Sequence, residues 1–202
     1  MPADPESVGS HSVSPEPQSR DDGPGSAGSS TACVVTQNAL GLPAMTSPDY
    51  TTELQRWRDE RNHFMAHHYA TPLSDDDIAV FNGLRYFPAD PAMVFPVDLD
   101  PEETRVAIEA STGAVSDYAG AGTVAIRFPI GRVAMQVLRG EDDDLFIPFR
   151  DRTCGVSTYS GGRYVGVERT ADGFIVDFNK ATNPYCAYDP DFSCPLPPPE
   201  NR

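Results

Sequence analysis

Tyr50, Leu54, Trp57, Arg61, Phe64 and His68 are separated by four, three, four, three and four residues. That spacing puts them on one face of a helix of about five turns. Ser47 is placed to cap it, Pro48 fits the first helical position, and Asp49 suits the positive N-terminal end. Thr71-Pro72-Leu73 ends the helix. Ser74 then caps a second, short helix through Asp75, Asp76 and Asp77, which carries Ile78, Val80 and Phe81 and stops near Gly83.

From Leu84 onward the period shortens to two. "MVFPVDL" is extended and contains a proline, which suits a sheet edge. "TRVAIEA" alternates, with Val106, Ile108 and Ala110 on one face, and Thr112-Gly113 turns the chain. "GTVAIRFPI" and "RVAMQVLR" flank Ile130-Gly131 as a hairpin. "LFIPF" follows the acidic turn Glu141 to Asp144. "RYVGVE" and "FIVDFN" flank a second hairpin turn, Thr170 to Gly173, with glycine where positive φ is needed. In "DFN", strand alternation predicts Asp177 and Asn179 on one side and Phe178 on the other. The pattern predicts a mainly β protein with N-terminal helices, an α+β class. About seven to eight strands form an antiparallel barrel or sandwich, with one long helix packed on it.

Residues 1–46 differ from the rest. They are acidic and rich in Ser, Pro and Gly, and bury too little apolar area to offset chain entropy, which predicts a disordered tail. Only Cys33 to Leu42 offers an apolar patch that can dock onto the body. Residues 47–202 read as a single β-rich domain. No run of 18 apolar residues is present, and no basic start precedes an apolar stretch, so neither a membrane span nor a signal segment is expected. The expected compartment is the cytoplasm.

Charge changes this picture most. The formal net charge is −15, with 30 acidic against 15 basic residues, and Lys180 is the only lysine. Such a surface repels itself in dilute buffer and is screened at molar salt. The composition therefore suits a salt-accumulating cytoplasm such as a haloarchaeon's. No basic stripe exists to meet phosphates, so a nucleic-acid partner is not expected.

Candidate chemistry gathers after Asp144. Two apolar strands bracket a loop with Asp151, Thr153, Cys154, Thr158, Tyr159 and Arg163. Its "STYSGGR" stretch can cradle an anion through backbone N–H groups and Arg163, although its glycine spacing matches no nucleotide-binding fingerprint. The plainer reading is a turn whose arginine pairs with Asp151 or Asp177. Tyr159, Tyr164, Tyr185, Tyr188 and Trp57 read as core residues or as the wall of a pocket.

"GLRYFP", "LFIPFRD", "TYSGGRY", "DFNKATNPYCAY" and "SCPLPPPENR" occur in that order, with Trp57-Arg58 and Thr71-Pro72-Leu73 upstream. Together they resemble the family known only as domain of unknown function 1684, over about Tyr50 to Arg202. The resemblance implies that the proline-rich C-terminal stretch belongs to the folded domain. It carries no established biochemical role. Two positions depart from the pattern it implies: Thr182 stands where a tyrosine is usual, and Cys154 where a small polar residue is usual.

Cys186 and Cys194 can form a disulfide clasp, which a reducing cytoplasm disfavours. His63 and His67 stand at i and i+4, but closely spaced ligand pairs for zinc are missing, and no residue is assigned to a metal. A nucleophilic Cys186 lacks a base in the second half of the chain. Three readings follow. The first is a domain binding a small polar or anionic molecule in a pocket formed by residues 151–194. Tyr159, Arg163, Tyr164, Asn179, Asn183, Tyr185 and Cys186 are its ligand-binding candidates, and Asp151 and Asp177 its acid/base candidates should it be catalytic. The second is a non-catalytic protein-interaction module using the N-terminal arm and the proline-rich end. The third is a metal-dependent enzyme using Cys186, Cys194 and a helix histidine. No cofactor is indicated by any motif.

Overall fold

The computed structural model describes residues 48–140 and 142–202. The expected N-cap Ser47 and the tail and patch at 1–46 lie outside the described residues. Helix α1 spans Pro48–His67 and α2 spans Asp75–Val80. Seven strands follow: β1 (Val94–Val97), β2 (Leu99–Glu109), β3 (Val115–Phe128), β4 (Gly131–Arg139), β5 (Leu145–Phe149), β6 (Arg163–Thr170) and β7 (Gly173–Asp177). They form one sheet in the order β1-β7-β6-β5-β4-β3-β2, and every pair is antiparallel.

The order has a geometric consequence. β1 and β2 lie at opposite edges, yet only Asp98 separates them. Val97 pairs with Phe174 of β7, and Leu99 pairs with Val124 of β3. The sheet therefore curls into a half-barrel, and the choice between barrel and sandwich falls to a single curled sheet. Alternating residues fill its concave side. Val124, Ile126, Val137, Ile147, Val165 and Val176 are fully or almost fully buried there, each contributing about 1.5–3 kcal/mol of burial. Phe95, Phe128, Phe149 and Phe178 add an aromatic cluster with ring centroids 5.0–5.9 Å apart.

The pairing of β4 with β5 is short, Leu138 with Phe146 and Arg139 with Leu145. The C-terminal stretch repairs the gap. It leaves the end of β2 at a bridge between Ala110 and Pro195 and ends in the turn Pro199–Asn201. The Asn201 side chain accepts from Gln136 N and donates to the carbonyls of Gln136 and Pro148, at 2.8–2.9 Å. Its own carbonyl accepts from Arg150 N at 2.9 Å. Prolines lack the N–H that a ladder needs, so a run of them next to Pro148 needs a side-chain amide to complete the bonding. Gly162 makes room for this crossing: its φ is +105°, and a Cβ there would press on Phe149 O and Pro197.

Helix α1 is fastened to the sheet by polar groups more than by its stripe. Leu54 and Met65 are its buried apolar residues. Tyr50 donates its hydroxyl to Asp177 Oδ2 at 2.9 Å, and Arg58 donates to the carbonyls of Asn179 and Phe87. His68 lies just past the helix and stacks on Phe64 at 4.5 Å. The strand read through Asn179 stops short, although Asp177 and Asn179 still lie together, bonded at 2.9 Å. β7 ends at Asp177, whose side chain caps a short turn, Phe178–Lys180. Phe178 packs on the core, while Asp177 and Asn179 are buried beside it.

Candidate functional site

The stretch from Asn82 to Pro88 forms neither helix nor strand. Its backbone bonds go to side chains instead. Asn62 accepts from Leu84 N at 2.8 Å, and Arg58 donates to Phe87 O at 3.2 Å. Asn179 holds both the N–H and the carbonyl of Asp90. This strap, with α2, makes one wall of an open groove of about 1450 Å³. The loop Asp151–Tyr159 makes the opposite wall, and residues Phe178–Asn183 contribute between them. Three apolar side chains on the two lips, Val80, Phe87 and Val156, are exposed although they are large.

Two arginines lie deeper in this groove, while Arg85 and the groove aspartates are exposed. Arg163 lines it with a side chain only 12% exposed. Its guanidinium sits 5.0 Å from the Phe149 ring centroid and 5.7 Å from that of Phe87. Such aromatic faces attract a cation. Its one ion-pair partner is Asp151, at 2.7 Å and 41% exposed. Arg58 also lines the groove, with its guanidinium 4.6 Å from the Tyr86 ring centroid. The groove aspartates Asp77, Asp90 and Asp151 are all exposed. Asp77 accepts from the hydroxyl of Ser74, the cap of α2, and Asp90 caps the turn Pro91–Met93 by accepting from Ala92 N.

The loop expected to cradle an anion turns most of its N–H groups inward. Those of Val156, Ser157 and Thr158 donate to Thr153 O, and that of Gly162 donates to Tyr159 O. Asp151 Oδ1 accepts from Thr153 N at 2.9 Å and also from the Thr153 hydroxyl. The loop is thus a self-bonded turn that positions Asp151 against Arg163.

The sequence candidates divide between two places. Asp151, Tyr159, Arg163, Asn179 and Asn183 line the groove. Tyr164, Tyr185, Cys186 and Asp177 do not. Tyr164 donates to Pro195 O at 2.7 Å, and burial pushes its phenol far up. Tyr185 meets Phe192 edge-on at 5.3 Å. Asp177 lies beneath the groove, bonded to Tyr50 and to Asn179. Cys186 touches the Tyr159 hydroxyl at 3.8 Å, and burial first, then this contact, raises the Tyr159 phenol. Cys186 N donates to Cys194 Sγ at 3.4 Å, and burial pushes the Cys194 thiol up. Both sulfurs are thiols, as is that of Cys154.

Among the described residues no three His, Cys, Asp or Glu side chains gather as a metal would need. His63 and His67 lie against each other at 4.6 Å. No helix of the described residues is long and apolar enough to cross a membrane.

Arg58, Tyr86 and Phe87 were not among the sequence candidates, yet all three line the groove. The signal available was "GLRYFP", whose tyrosine sits between an arginine and a second aromatic residue. Thr182, where the resemblance implies a tyrosine, also lines it and leaves a smaller side chain there.

Residues 79–202 match the family described as a protein of unknown function (DUF1684). A solution NMR structure of an uncharacterized protein of Haloarcula marismortui is similar, with 35% identity and a TM-score of 0.58. The match covers 76% of this chain and 88% of that one. No curated protein matches the chain.

Proposed function

The chain belongs to the DUF1684 family, and we propose that it binds a small molecule bearing an anionic group in the groove between the strap and the Asp151 loop. The observation that carries this reading is Arg163. It is a nearly buried cation lining an open groove, stacked on aromatic rings, and paired with a carboxylate that is itself exposed. An exposed carboxylate can be replaced by another carboxylate or by a phosphate, because Asp151 regains its hydration as it leaves. Phe87, Val156 and Val80 supply apolar area for the rest of the ligand. Thr153, Thr158, Tyr159 and Asn183 supply polar groups to orient it.

The interaction-module alternative puts part of its contacts on residues 1–46, outside the described residues. The metal alternative needs ligands that do not gather among the described residues. The groove reading has geometry on its side. It is a binding reading: Asp177 is buried under Tyr50 and Asp151 is held in its turn, so neither is assigned an acid/base role here.

The test is mass spectrometry of what denaturation releases from protein purified in molar potassium chloride from its own cells. Wild type is expected to release a stoichiometric acidic compound. Arg163→Met is expected to release none while keeping its near-UV circular dichroism. Asp151→Asn, which frees Arg163, is expected to retain the compound. If Arg163→Met loses its tertiary signal, or keeps the compound, the reading fails.

A further inference from the structure

Four buried side-chain atoms have no hydrogen-bond partner among the described residues: Nε of Arg58, Arg61 and Arg163, and the hydroxyl of Tyr86. Three of them belong to one cluster. Arg58 and Arg61 stand one helical turn apart on α1. The Arg58 guanidinium lies over the Tyr86 ring. Arg61 lies 6.0 Å from the Tyr185 ring centroid, and its charge is felt at the hydroxyls of both Tyr86 and Tyr188. Neither Arg58 nor Arg61 forms an ion pair among the described residues.

The chemistry of the set is one-sided. A guanidinium has only donors, and its Nε–H points along one fixed direction. A phenol can donate or accept, and the Tyr86 hydroxyl has no partner of either kind among the described residues, so its O–H is available to an incoming acceptor. Leaving a buried donor unmet costs about 1–3 kcal/mol, and more where charge is involved. Folded proteins rarely leave three such donors together. What completes the cluster is an acceptor with several oxygens and a negative charge. Arg58, Tyr86, Tyr188 and Asn183 all line the groove, so that acceptor has an entrance.

We infer that the α1 end of the groove is an oxyanion site, in which Arg58, Arg61 and Tyr86 hold the carboxylate or phosphate group of a small ligand. This rests on reading the groove as a small-molecule site, and it adds a second anchor for anionic oxygens to the one at Arg163. Arg163 then serves the far end of the ligand across Phe87, since the strap residue Phe87 touches both arginines. Tyr188 and Asn183 also line the groove.

The protein carries its own reporter. Trp57 is the only tryptophan, and its ring lies edge-on to Tyr86 at 6.0 Å. Inorganic phosphate and, separately, acetate are titrated into the full chain at constant potassium chloride while Trp57 fluorescence is read. A saturable change with at least one of them is expected. Arg61→Met should weaken it at least about ten-fold, and Tyr86→Phe by about ten- to a hundred-fold, the loss of a hydrogen bond to a charged group. Arg56→Met, on the exposed face of α1 and paired with Glu60, should leave it unchanged and so controls for net charge. The anion that responds names the head group. No saturable change with either anion, or an equal change in wild type and Tyr86→Phe, overturns the site. Should Arg61→Met fail to fold, the single-oxygen change Tyr86→Phe decides alone. A wild-type protein that releases no compound but titrates with phosphate through Tyr86 would end the groove-wide reading and leave this site standing.

Discussion

Two polar clusters hang from the same helix, and each contains a tyrosine. In the first, around Tyr50, Asp177 and Asn179, donors meet acceptors. Tyr50 donates to Asp177, and Asn179 Nδ2 reaches Tyr50, Asp177 and Asp90 O at 2.9–3.0 Å, while its Oδ1 accepts from Asp90 N. In the second, around Arg58, Arg61 and Tyr86, the Nε atoms of both arginines and the hydroxyl of Tyr86 are buried without an acceptor among the described residues. The first cluster contains a carboxylate and an amide, which can accept. The second contains two guanidiniums, which only donate, and a phenol, with no carboxylate or amide beside them. A closed network holds parts of the molecule together, whereas a set of like donors holds something that comes from outside. Burial alone does not tell the two apart; the balance of donors and acceptors does.

The sharpest way to break this contrast is Asn179→Ala. It leaves the N–H and carbonyl of Asp90 without their side-chain partner and removes one of the donors to the buried carboxylate of Asp177. A loss of about 3–4 kcal/mol is expected in urea unfolding. A loss below about 1 kcal/mol would show that the network is not what fastens α1 and the strap.

A matched pair of smaller changes comes next. Tyr50→Phe removes a hydroxyl that Asp177 accepts from, and should cost about 1–2 kcal/mol. Tyr86→Phe removes a buried hydroxyl that has no acceptor, and should change stability by less than about 0.5 kcal/mol in either direction. Equal losses in the two variants, measured by thermal unfolding in the same salt, would erase the distinction.

The smallest effect is in alkali. Burial and then the charge of Asp177 push the Tyr50 phenol up from its ordinary 10.0. Burial also raises Tyr86, but Arg61 and Arg58 hold it back. Tyr86 should therefore ionise before Tyr50 in an absorbance titration near 295 nm, and Tyr86→Phe should remove the earlier step of the two. A raised folded value means that the stabilisation is complete below the unfolded pKa and is lost as pH rises through the folded one. Stability should thus fall above about pH 10, less steeply in Tyr50→Phe. An unchanged slope would show that folding does not raise the Tyr50 phenol.

Much of the fold is legible in the chain because it is written in local periods. The face Leu54–Trp57–Arg61–Phe64, the alternation at Val106–Ile108–Ala110 and the glycine at the Thr170–Gly173 turn each specify their element within a few residues. The misreading of Asp177–Phe178–Asn179 has a local cause as well. Asp177 caps a turn with its own side chain, and that option ends a strand that alternation alone would continue. At the site, Arg163 and Asp151 are legible because they flank one loop. Arg58 and Tyr86 are not, since an arginine on a helix reads as solvated until something is seen to cover it.

The sequence by itself determined the half-barrel's strands, the helix before them and the acidic surface. These depend on neighbours in the chain or on composition. That the C-terminal prolines belong to the domain was implied by the family resemblance, and there Asn201 completes the bonding between β4 and β5. Only the tertiary structure decided that the strap at Asn82 to Pro88 faces the Asp151 loop across a groove. Only it showed that Arg58 lies over the Tyr86 ring and that donors of Arg58, Arg61 and Tyr86 are buried without acceptors among the described residues. Hydrogen-bond balance is a property of atoms brought together from distant positions, and no local pattern records it.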